Sequence, residues 1–167
     1  MGNASFGSRN MVTINRTAQG IYVLQSELLI PHSISDVFDF FARPENLESL
    51  TPPWLHFQIV TPKPVPIHEG ALIDYRLKLH GFPMKWKTEI TDWEPPVRFV
   101  DLQLKGPYRF WRHEHTFQEQ AGGTLVRDKV EYAVLGGALI NRLFVQKDVE
   151  RIFQYRLDRL KSFPPTD

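Results

Sequence analysis

Residues 102–134, LQLKGPYRFWRHEHTFQEQAGGTLVRDKVEYAV, decide the fold of this chain. They predict two long β-strands separated by a turn at residues 121–123, because strand side chains alternate between two faces and both runs alternate in this way. One face is charged, as a solvated face should be. The other is apolar apart from two histidines and an aspartate, and it carries Trp111, His113, His115 and Phe117, then Val126, Asp128, Val130 and Tyr132.

The register of this hairpin decides which polar groups meet. Pairing Phe117 with Thr124 places His113 opposite Asp128, with Cβ atoms about 5 Å apart and a hydrogen bond within reach. A connection of six residues does not fix the register, and a slip of two leaves Asp128 beside His113 or His115. An aspartate among apolar neighbours needs a partner, so we expect an imidazole–carboxylate pair on the inward face.

The composition is that of an ordinary globular protein. At 167 residues the chain fits one domain, and 42% apolar with 23% charged residues argue against disorder. A net charge of +1 argues against nucleic-acid binding. Since cysteine is absent, disulfides and zinc–thiolate sites are excluded. No apolar run reaches the ~18–20 residues of a membrane span, and no secretion signal is evident, so we expect a cytoplasmic protein.

The region before the hairpin predicts a tail, a strand and two short helices. Residues 1–19 are polar and without periodicity, which favours a tail, and residues 21–30 read as the first strand. Ser33 followed by Asp36 is typical of a helix start. Pro44 suits the first position of a second short helix.

Further strands and one long helix complete the predicted domain. Residues 70–79, 84–93 and 97–105 alternate as strands do. From residue 138 to about 163, apolar side chains recur at spacings of three and four, which predicts a long amphipathic helix with an inward stripe of Leu139, Ile140, Leu143, Phe144, Val149, Ile152, Phe153, Leu157 and Leu160. We therefore expect one domain over residues 20–163 and a short C-terminal tail, residues 164–167.

This order of elements predicts an α+β fold. A curved antiparallel sheet of about seven strands has one apolar face to cover, and the C-terminal helix is the only long amphipathic element available to cover it. The sheet is expected to wrap around that helix, with two short helices after the first strand. Such an arrangement encloses a space walled by aromatic side chains.

Three stretches carry a family resemblance: PHSISDVFDFFARPENL (31–47), the Gly70-x4-Tyr75 strand with WEPPVRF (93–99), and GPYRFWRHEHTFQEQAGGTLVRDKVEY (106–132). Over residues 21–163 the chain resembles the START/birch-pollen-allergen superfamily, also called SRPBCC. Its bacterial members include polyketide cyclase/dehydrase-like proteins and coenzyme Q-binding proteins. The third stretch is similar to an SRPBCC subgroup known only as ligand-binding. The resemblance implies the helix-grip fold but no particular reaction, because this scaffold hosts carriers, sensors, cyclases and oxygenase domains.

Candidate site residues are the aromatic and polar side chains expected to face the enclosed space. Asp101 shares a strand face with Phe99 and Gln103, which makes it a second possible partner for His113. Arg156 lies near the helix stripe, either as a side chain reaching to solvent or as a charge for an acidic ligand. The predicted ligand-binding set is Tyr75, Trp86, Phe99, Asp101, Gln103, Trp111, His113, His115, Phe117, Asp128, Tyr132, Phe153 and Arg156.

The cluster of His113, His115 and Asp128 admits four interpretations. It can be a satisfied polar group that fixes strand register, or the polar end of an apolar pocket that orients a ligand. It can also act in catalysis, with His113 as acid or base held by Asp128 or Asp101. A metal site is the least favoured, because pairs of histidines on strands are common and the third ligand depends on the assumed register. No cofactor or metal is expected, since no phosphate-binding glycine loop is present.

The preferred function is binding of a hydrophobic or aromatic small molecule, such as a lipid, quinone or polyketide-like compound, without turnover. The alternative is a polyketide cyclase/aromatase or dehydratase that uses the pair of His113 and Asp128 for acid–base chemistry. A third possibility, implied by the resemblance to coenzyme Q-binding proteins, is an intracellular carrier of a quinone lipid.

Overall fold

Eight antiparallel strands form one sheet in the computed structural model, which describes residues 12–165. The strands are β1 (Thr13–Arg16), β2 (Tyr22–Ile30), β3 (Gln58–Ile59), β4 (Leu72–Leu79), β5 (Phe82–Glu94), β6 (Arg98–Lys105), β7 (Phe110–Gln120) and β8 (Gly123–Ala133). Their spatial order is β1-β2-β8-β7-β6-β5-β4-β3. The predicted hairpin therefore lies near the middle of the sheet.

Helical segments follow β2 and β8. Helix α1 (Ile34–Phe41) begins as predicted, because the Ser33 hydroxyl accepts a hydrogen bond from the Asp36 backbone N–H at 3.2 Å. Two 3-10 turns follow (Pro44–Leu47 and Pro53–Leu55). After β8, helix α2 (Gly137–Ile140) continues through a π-helical turn (Asn141–Val145) into α3 (Gln146–Leu160). The α+β prediction is confirmed, with eight strands in place of about seven.

The N-terminal tail prediction is wrong for residues 13–16. These residues form β1, and the backbone pairing places Thr13 opposite Gln25 and Arg16 opposite Tyr22. An edge strand needs only backbone partners, so its polar TINR sequence gives no apolar alternation to detect. The predicted tail over residues 1–11 lies outside the described residues, as do residues 166 and 167.

The hairpin register differs from the expected one by two residues. Strands β7 and β8 continue to Gln120 and Gly123, which leaves a connection of two residues, and Phe117 pairs with Val126 instead of Thr124. A two-residue turn fixes the register. The turn contains Gly122, whose φ of 95° favours glycine. As a result His115, rather than His113, lies directly opposite Asp128.

Only the C-terminal part of the predicted helix stripe faces the sheet. Val149, Phe153, Leu157 and Leu160 are buried, as expected. The stripe prediction is wrong for the first part of the helix, where Leu139, Ile140, Leu143 and Phe144 are exposed. A π-helical turn holds more residues than an α-helical one, so it rotates the preceding residues away from the phase of α3. No helix in residues 12–165 is long and apolar enough to cross a membrane.

Candidate functional site

A cavity of about 200 Å³ lies between the sheet and α3. Its walls come from the inward faces of β4 to β7, from α1 and the turns after it, and from α3. They are predominantly apolar, as the sheet alternation predicts for an inward face. Nine of the thirteen predicted ligand-binding residues line it: Tyr75, Trp86, Phe99, Asp101, Trp111, His113, His115, Phe153 and Arg156.

The other four predicted residues support the cavity from outside. The side-chain amide of Gln103 donates to the Tyr108 carbonyl at 2.8 Å and so holds the β6–β7 connection. Phe117 packs in an aromatic cluster, with its ring centre 5.2 Å from that of Phe38. Tyr132 stacks on Tyr22 at 5.3 Å. Asp128, the fourth, is also absent from the lining and contacts the two inward histidines.

Sequence reasoning missed the part of the wall that is contributed by helices and loops. This part includes Phe41, Leu47, Leu50, Leu55, Phe57, Tyr108 and Ile152. Residues in 3-10 turns and connections have no regular alternation, so no period distinguishes a wall residue from an ordinary core residue. The aromatic pair of Tyr108 and Trp111, with ring centres 4.6 Å apart, was the one detectable signal, since both belong to the GPYRFW motif.

Two carboxylates hold the two inward histidines. Oδ1 of Asp128 lies 2.8 Å from Nε2 of His113 and 2.9 Å from Nδ1 of His115. The first contact is a hydrogen bond, whereas the second is close but lacks hydrogen-bond alignment. Oδ2 of Asp101 lies 3.2 Å from Nε2 of His115 and 3.6 Å from Nδ1 of His113. The Ser26 hydroxyl adds a long hydrogen bond of 3.4 Å to Asp128.

Strand pairing produces this arrangement directly. In the β6–β7 ladder Asp101 faces His113, and in the β7–β8 ladder Asp128 faces His115, so each carboxylate also lies diagonally from the other histidine. The two imidazole ring centres lie 3.8 Å apart with their planes tilted by 38°, and Phe99 stacks on His115 at 4.2 Å. The expectation that Asp101 contacts His113 is confirmed.

The surroundings shift the pKa values of the two histidines in opposite directions. Burial lowers the pKa of His113, and the neighbouring His115 lowers it further. Burial also opposes a charge on His115, but its contacts with Asp101 and Asp128 outweigh this effect and raise its pKa. At neutral pH His113 is therefore the neutral ring, and His115 is the ring that holds a proton more readily.

The aspartates remain ionised inside the fold. Burial works against a charge on either carboxyl, yet the contacts with His113 and His115 hold the pKa of Asp128 well below its usual value. Interactions with the same two rings, and with Arg156, keep the pKa of Asp101 low. Inside the fold the two carboxylates are therefore compensated by the imidazole rings that they contact and by the nearby guanidinium of Arg156.

A metal ion at this cluster would need other ligands than the His113, His115 and Asp128 set predicted from the sequence. Ligand atoms of Asp101, His113 and His115 lie within 4.8 Å of one another, whereas Asp128 contacts the histidines from the other side. The ring planes are tilted by 38°, and all four imidazole nitrogens already contact a carboxylate oxygen. The present geometry suits a proton-linked cluster better than a metal centre.

Comparison with known proteins assigns the family. Residues 30–160 match the family described as polyketide cyclase / dehydrase and lipid transport. Because this match covers most of the chain, the protein belongs to that family, and the resemblance to SRPBCC proteins is confirmed. The family supports a role in ligand binding or cyclisation in general. No curated protein matches the chain.

Solved structures show the same fold. Protein Ms6760 from Mycobacterium smegmatis is 17% identical, with a TM-score of 0.64 over 89% of this chain and 94% of that one. Major latex-like protein 151 from Panax ginseng is 12% identical, with a TM-score of 0.63 over 88% and 99%. The di-domain ARO/CYC StfQ of the steffimycin biosynthetic pathway is 13% identical, with a TM-score of 0.66 over 86% and 50%. These similarities confirm the helix-grip fold.

Proposed function

We propose that this protein binds a hydrophobic or aromatic small molecule in the cavity between the sheet and α3, without turning it over. The cavity wall carries the proposal: aromatic and aliphatic side chains surround the space, and the contacting group of Asp101, His113 and His115 forms part of the wall. Walls of this kind, apolar with a few converging polar groups, are typical of small-molecule sites. The family description, which includes lipid transport, agrees with this role.

The cavity volume limits the size of the expected ligand. An engineered dry cavity of roughly 150 Å³ accepts benzene. A volume of about 200 Å³ therefore favours a ligand body of one or two rings over a long lipid or isoprenoid chain. Among the classes expected from the sequence, this favours compact polyketide-like or quinone-like rings. The cytoplasmic location stays a prediction.

Trp111 offers the direct test of the cavity. It is buried, and its ring lies 5.4 Å from Trp86 and 6.5 Å from Phe153, centre to centre. We expect the neutral two-ring fluorescent probe 1-naphthylamine to bind at one molecule per chain, with a blue-shifted emission. We expect Trp111→Ala to weaken this binding at least tenfold, because the variant removes an aromatic wall.

Trp54 provides the matched control. It is 47% exposed, pairs with Tyr155 at 5.8 Å and does not line the cavity. Trp54→Ala should leave probe affinity unchanged, and circular dichroism should show both variants folded. Failure of the wild-type protein to bind the probe, or equal binding by folded Trp111→Ala, would count against the proposed cavity.

Acid–base catalysis is the second candidate, and one observation favours it. His113 lines the cavity while its Nε2 lies 2.8 Å from Asp128, so a neutral ring is held in place by a carboxylate. Such a ring can accept a carbon-bound proton during an aldol cyclisation and return it as water leaves. A linear poly-β-ketone thioester should then give a cyclised product with wild-type protein and none with His113→Ala. No product with the wild type would reject this candidate.

A further inference from the structure

Arg156 carries hydrogen-bond donors that the described part of the protein leaves unused. The side chain lines the cavity from α3 and is only 8% exposed. Its Nη1 comes to 3.8 Å from Oδ1 of Asp128, which is too long for a hydrogen bond. Its guanidinium carbon lies 5.6 Å from the ring centre of Phe153. Within residues 12–165, Arg156 forms no hydrogen bond.

An arginine in this state favours a particular kind of ligand. A guanidinium has five N–H donors in a planar fork, and burial of such a group is costly unless the donors find acceptors. A carboxylate matches the fork with two parallel hydrogen bonds, better than a single hydroxyl or carbonyl oxygen does. The natural acceptor for Arg156 is therefore a carboxylate that enters with the ligand.

Tyr75 supplies a second donor at the same place. This residue is buried on β4 and lines the cavity, and no residue in the described range 12–165 hydrogen-bonds its hydroxyl. Burial raises the pKa of Tyr75, the charge of Asp101 raises it further, and Arg156 acts in the opposite direction. The phenol therefore stays protonated and can donate, and Tyr75 and Arg156 line the same cavity.

We propose that Arg156 and Tyr75 form a carboxylate subsite, and that the ligand is a compact aromatic carboxylic acid of one or two rings. This inference rests on the proposed function. The ring body packs against the Trp86 and Trp111 wall, where edge-to-face contacts are available. The carboxylate lies against the guanidinium fork and accepts a further hydrogen bond from the Tyr75 hydroxyl.

The charge around this subsite is compatible with an anion. Asp101 and Asp128 are negative, but both contact His115, whose pKa is raised, and Asp128 also lies close to Arg156. Both carboxylates therefore already have compensating partners before the ligand enters. Neutral His113, which also lines the cavity, provides a group that can take up a proton when an anion arrives.

Three probes that share a naphthalene ring distinguish binding at the carboxylate subsite from binding by the apolar cavity walls. Isothermal titration calorimetry is run with 2-naphthoate, its neutral amide 2-naphthamide, and 2-methylnaphthalene. Wild-type protein should bind 2-naphthoate at least tenfold more tightly than 2-naphthamide, since hydrogen bonds to charged groups are the stronger ones. Binding of 2-methylnaphthalene depends only on the apolar walls and therefore tests the proposed function by itself.

Variants then assign the preference to individual side chains. Arg156→Met should remove the preference for the acid while keeping 2-naphthamide affinity within about threefold, because it retains the apolar stem. Arg156→Lys should keep only part of the preference, since the charge remains but the fork is lost. Tyr75→Phe should weaken 2-naphthoate binding about three- to tenfold. Arg151→Met is the control, because Arg151 is exposed on the same helix, 5.2 Å from the Trp54 ring.

The outcomes distinguish the two proposals. Equal affinity of wild-type protein for 2-naphthoate and 2-naphthamide overturns the carboxylate subsite, and binding of 2-methylnaphthalene then leaves the proposed cavity standing. Binding of none of the three probes overturns both. Retention of the full preference in folded Arg156→Met overturns the assignment to Arg156. The wild-type comparison needs no variant, so a poorly folded variant does not prevent a decision.

Discussion

Asp101 on β6 and Asp128 on β8 contact the same two imidazoles from opposite sides of β7. Asp101 lies 3.2 Å from His115 and 3.6 Å from His113, and Asp128 lies 2.9 Å and 2.8 Å from the same two rings. Three adjacent strands thus share one polar unit beneath an otherwise apolar face. Each member compensates another, so removal of one leaves an inward charge without its partner.

Among the members of this cluster, Asp128 is the one whose loss should lower the stability of the fold most. Asp128→Asn leaves protonated His115 and Arg156 with one fewer negative neighbour inside the fold, and we expect a loss of about 3 kcal/mol in the free energy of unfolding. Urea denaturation followed by circular dichroism measures this. Asp158, which pairs with Lys161 at the surface, is the control, and Asp158→Asn should change stability by less than about 0.5 kcal/mol. Similar small losses in both variants would contradict the buried network.

The two histidines should give stability a maximum near pH 6.5, the ordinary pKa of a histidine side chain. The folded-state pKa of His115 is raised, so its contribution is complete below pH 6.5 and is lost as pH rises through the folded-state pKa. The folded-state pKa of His113 is lowered, so stability is lost as pH falls from 6.5 through that lower value. The groups that face the two rings are Asp101 on β6, Asp128 on β8 and Arg156 on α3.

Urea unfolding between pH 5 and 8.5 tests this profile. His115→Gln should flatten the loss of stability on the alkaline side, and His113→Gln should flatten it on the acid side. The wild-type profile minus each variant's profile isolates the contribution of one ring from those of the other histidines. The pKa shifts would be assigned to the wrong rings if one variant lost both the acid and the alkaline slope. The same would hold if both variants kept both slopes.

The exposed and buried parts of the C-terminal helix should respond differently to truncation. Leu157 on α3 is 2% exposed, and Leu157→Ala should cost about 3 kcal/mol because it leaves a cavity in the core. Leu143 in the π-helical turn is 57% exposed, so Leu143→Ala should cost less than about 0.5 kcal/mol. Chemical denaturation of the two variants provides the comparison. A loss above about 1 kcal/mol for Leu143→Ala would show that Leu143 is buried, as the predicted uninterrupted inward stripe requires.

Alternation and helical periodicity were sufficient to predict the fold and the inward face that carries His113, His115 and Asp128. They were insufficient for the register, because it depends on a two-residue turn whose length cannot be read from a glycine-rich run. The π-helical turn was also hidden, since the residues on both sides of it have helical periodicity. Both errors concern relations between elements, which tertiary packing determines.

The candidate site, too, could be predicted from the sequence only in part. Strand residues such as Trp111 and Phe99 were predicted as wall residues from their face of the sheet, and they line the cavity. Gln103 shares that strand face but turns to the Tyr108 backbone, because the loop after β6 offers it two hydrogen-bonding groups. The face of the strand on which a residue lies therefore predicts whether its side chain points inward. It does not predict whether that side chain already has hydrogen-bond partners in the backbone.

Binding of an aromatic carboxylate should be accompanied by proton uptake. His113 is neutral in the free protein, and a bound anion beside it should raise its pKa, as Asp101 and Asp128 already do in part. The other charged or titratable groups at this place are Asp101 on β6, Asp128 on β8, His115 on β7 and Arg156 on α3. Affinity for 2-naphthoate should therefore weaken as pH rises above neutrality, whereas affinity for 2-naphthamide should not change.

Calorimetry at pH 7 in phosphate and in Tris measures the uptake, because the two buffers release a proton with different enthalpies. The difference between the observed enthalpies should correspond to uptake of a substantial part of one proton per 2-naphthoate bound, and to none for 2-naphthamide. His113→Gln should abolish the buffer dependence while retaining 2-naphthoate binding through Arg156. Preferential binding of the acid with no proton uptake would mean that the anion is neutralised by Arg156 alone, and that His113 is not in electrostatic contact with the subsite.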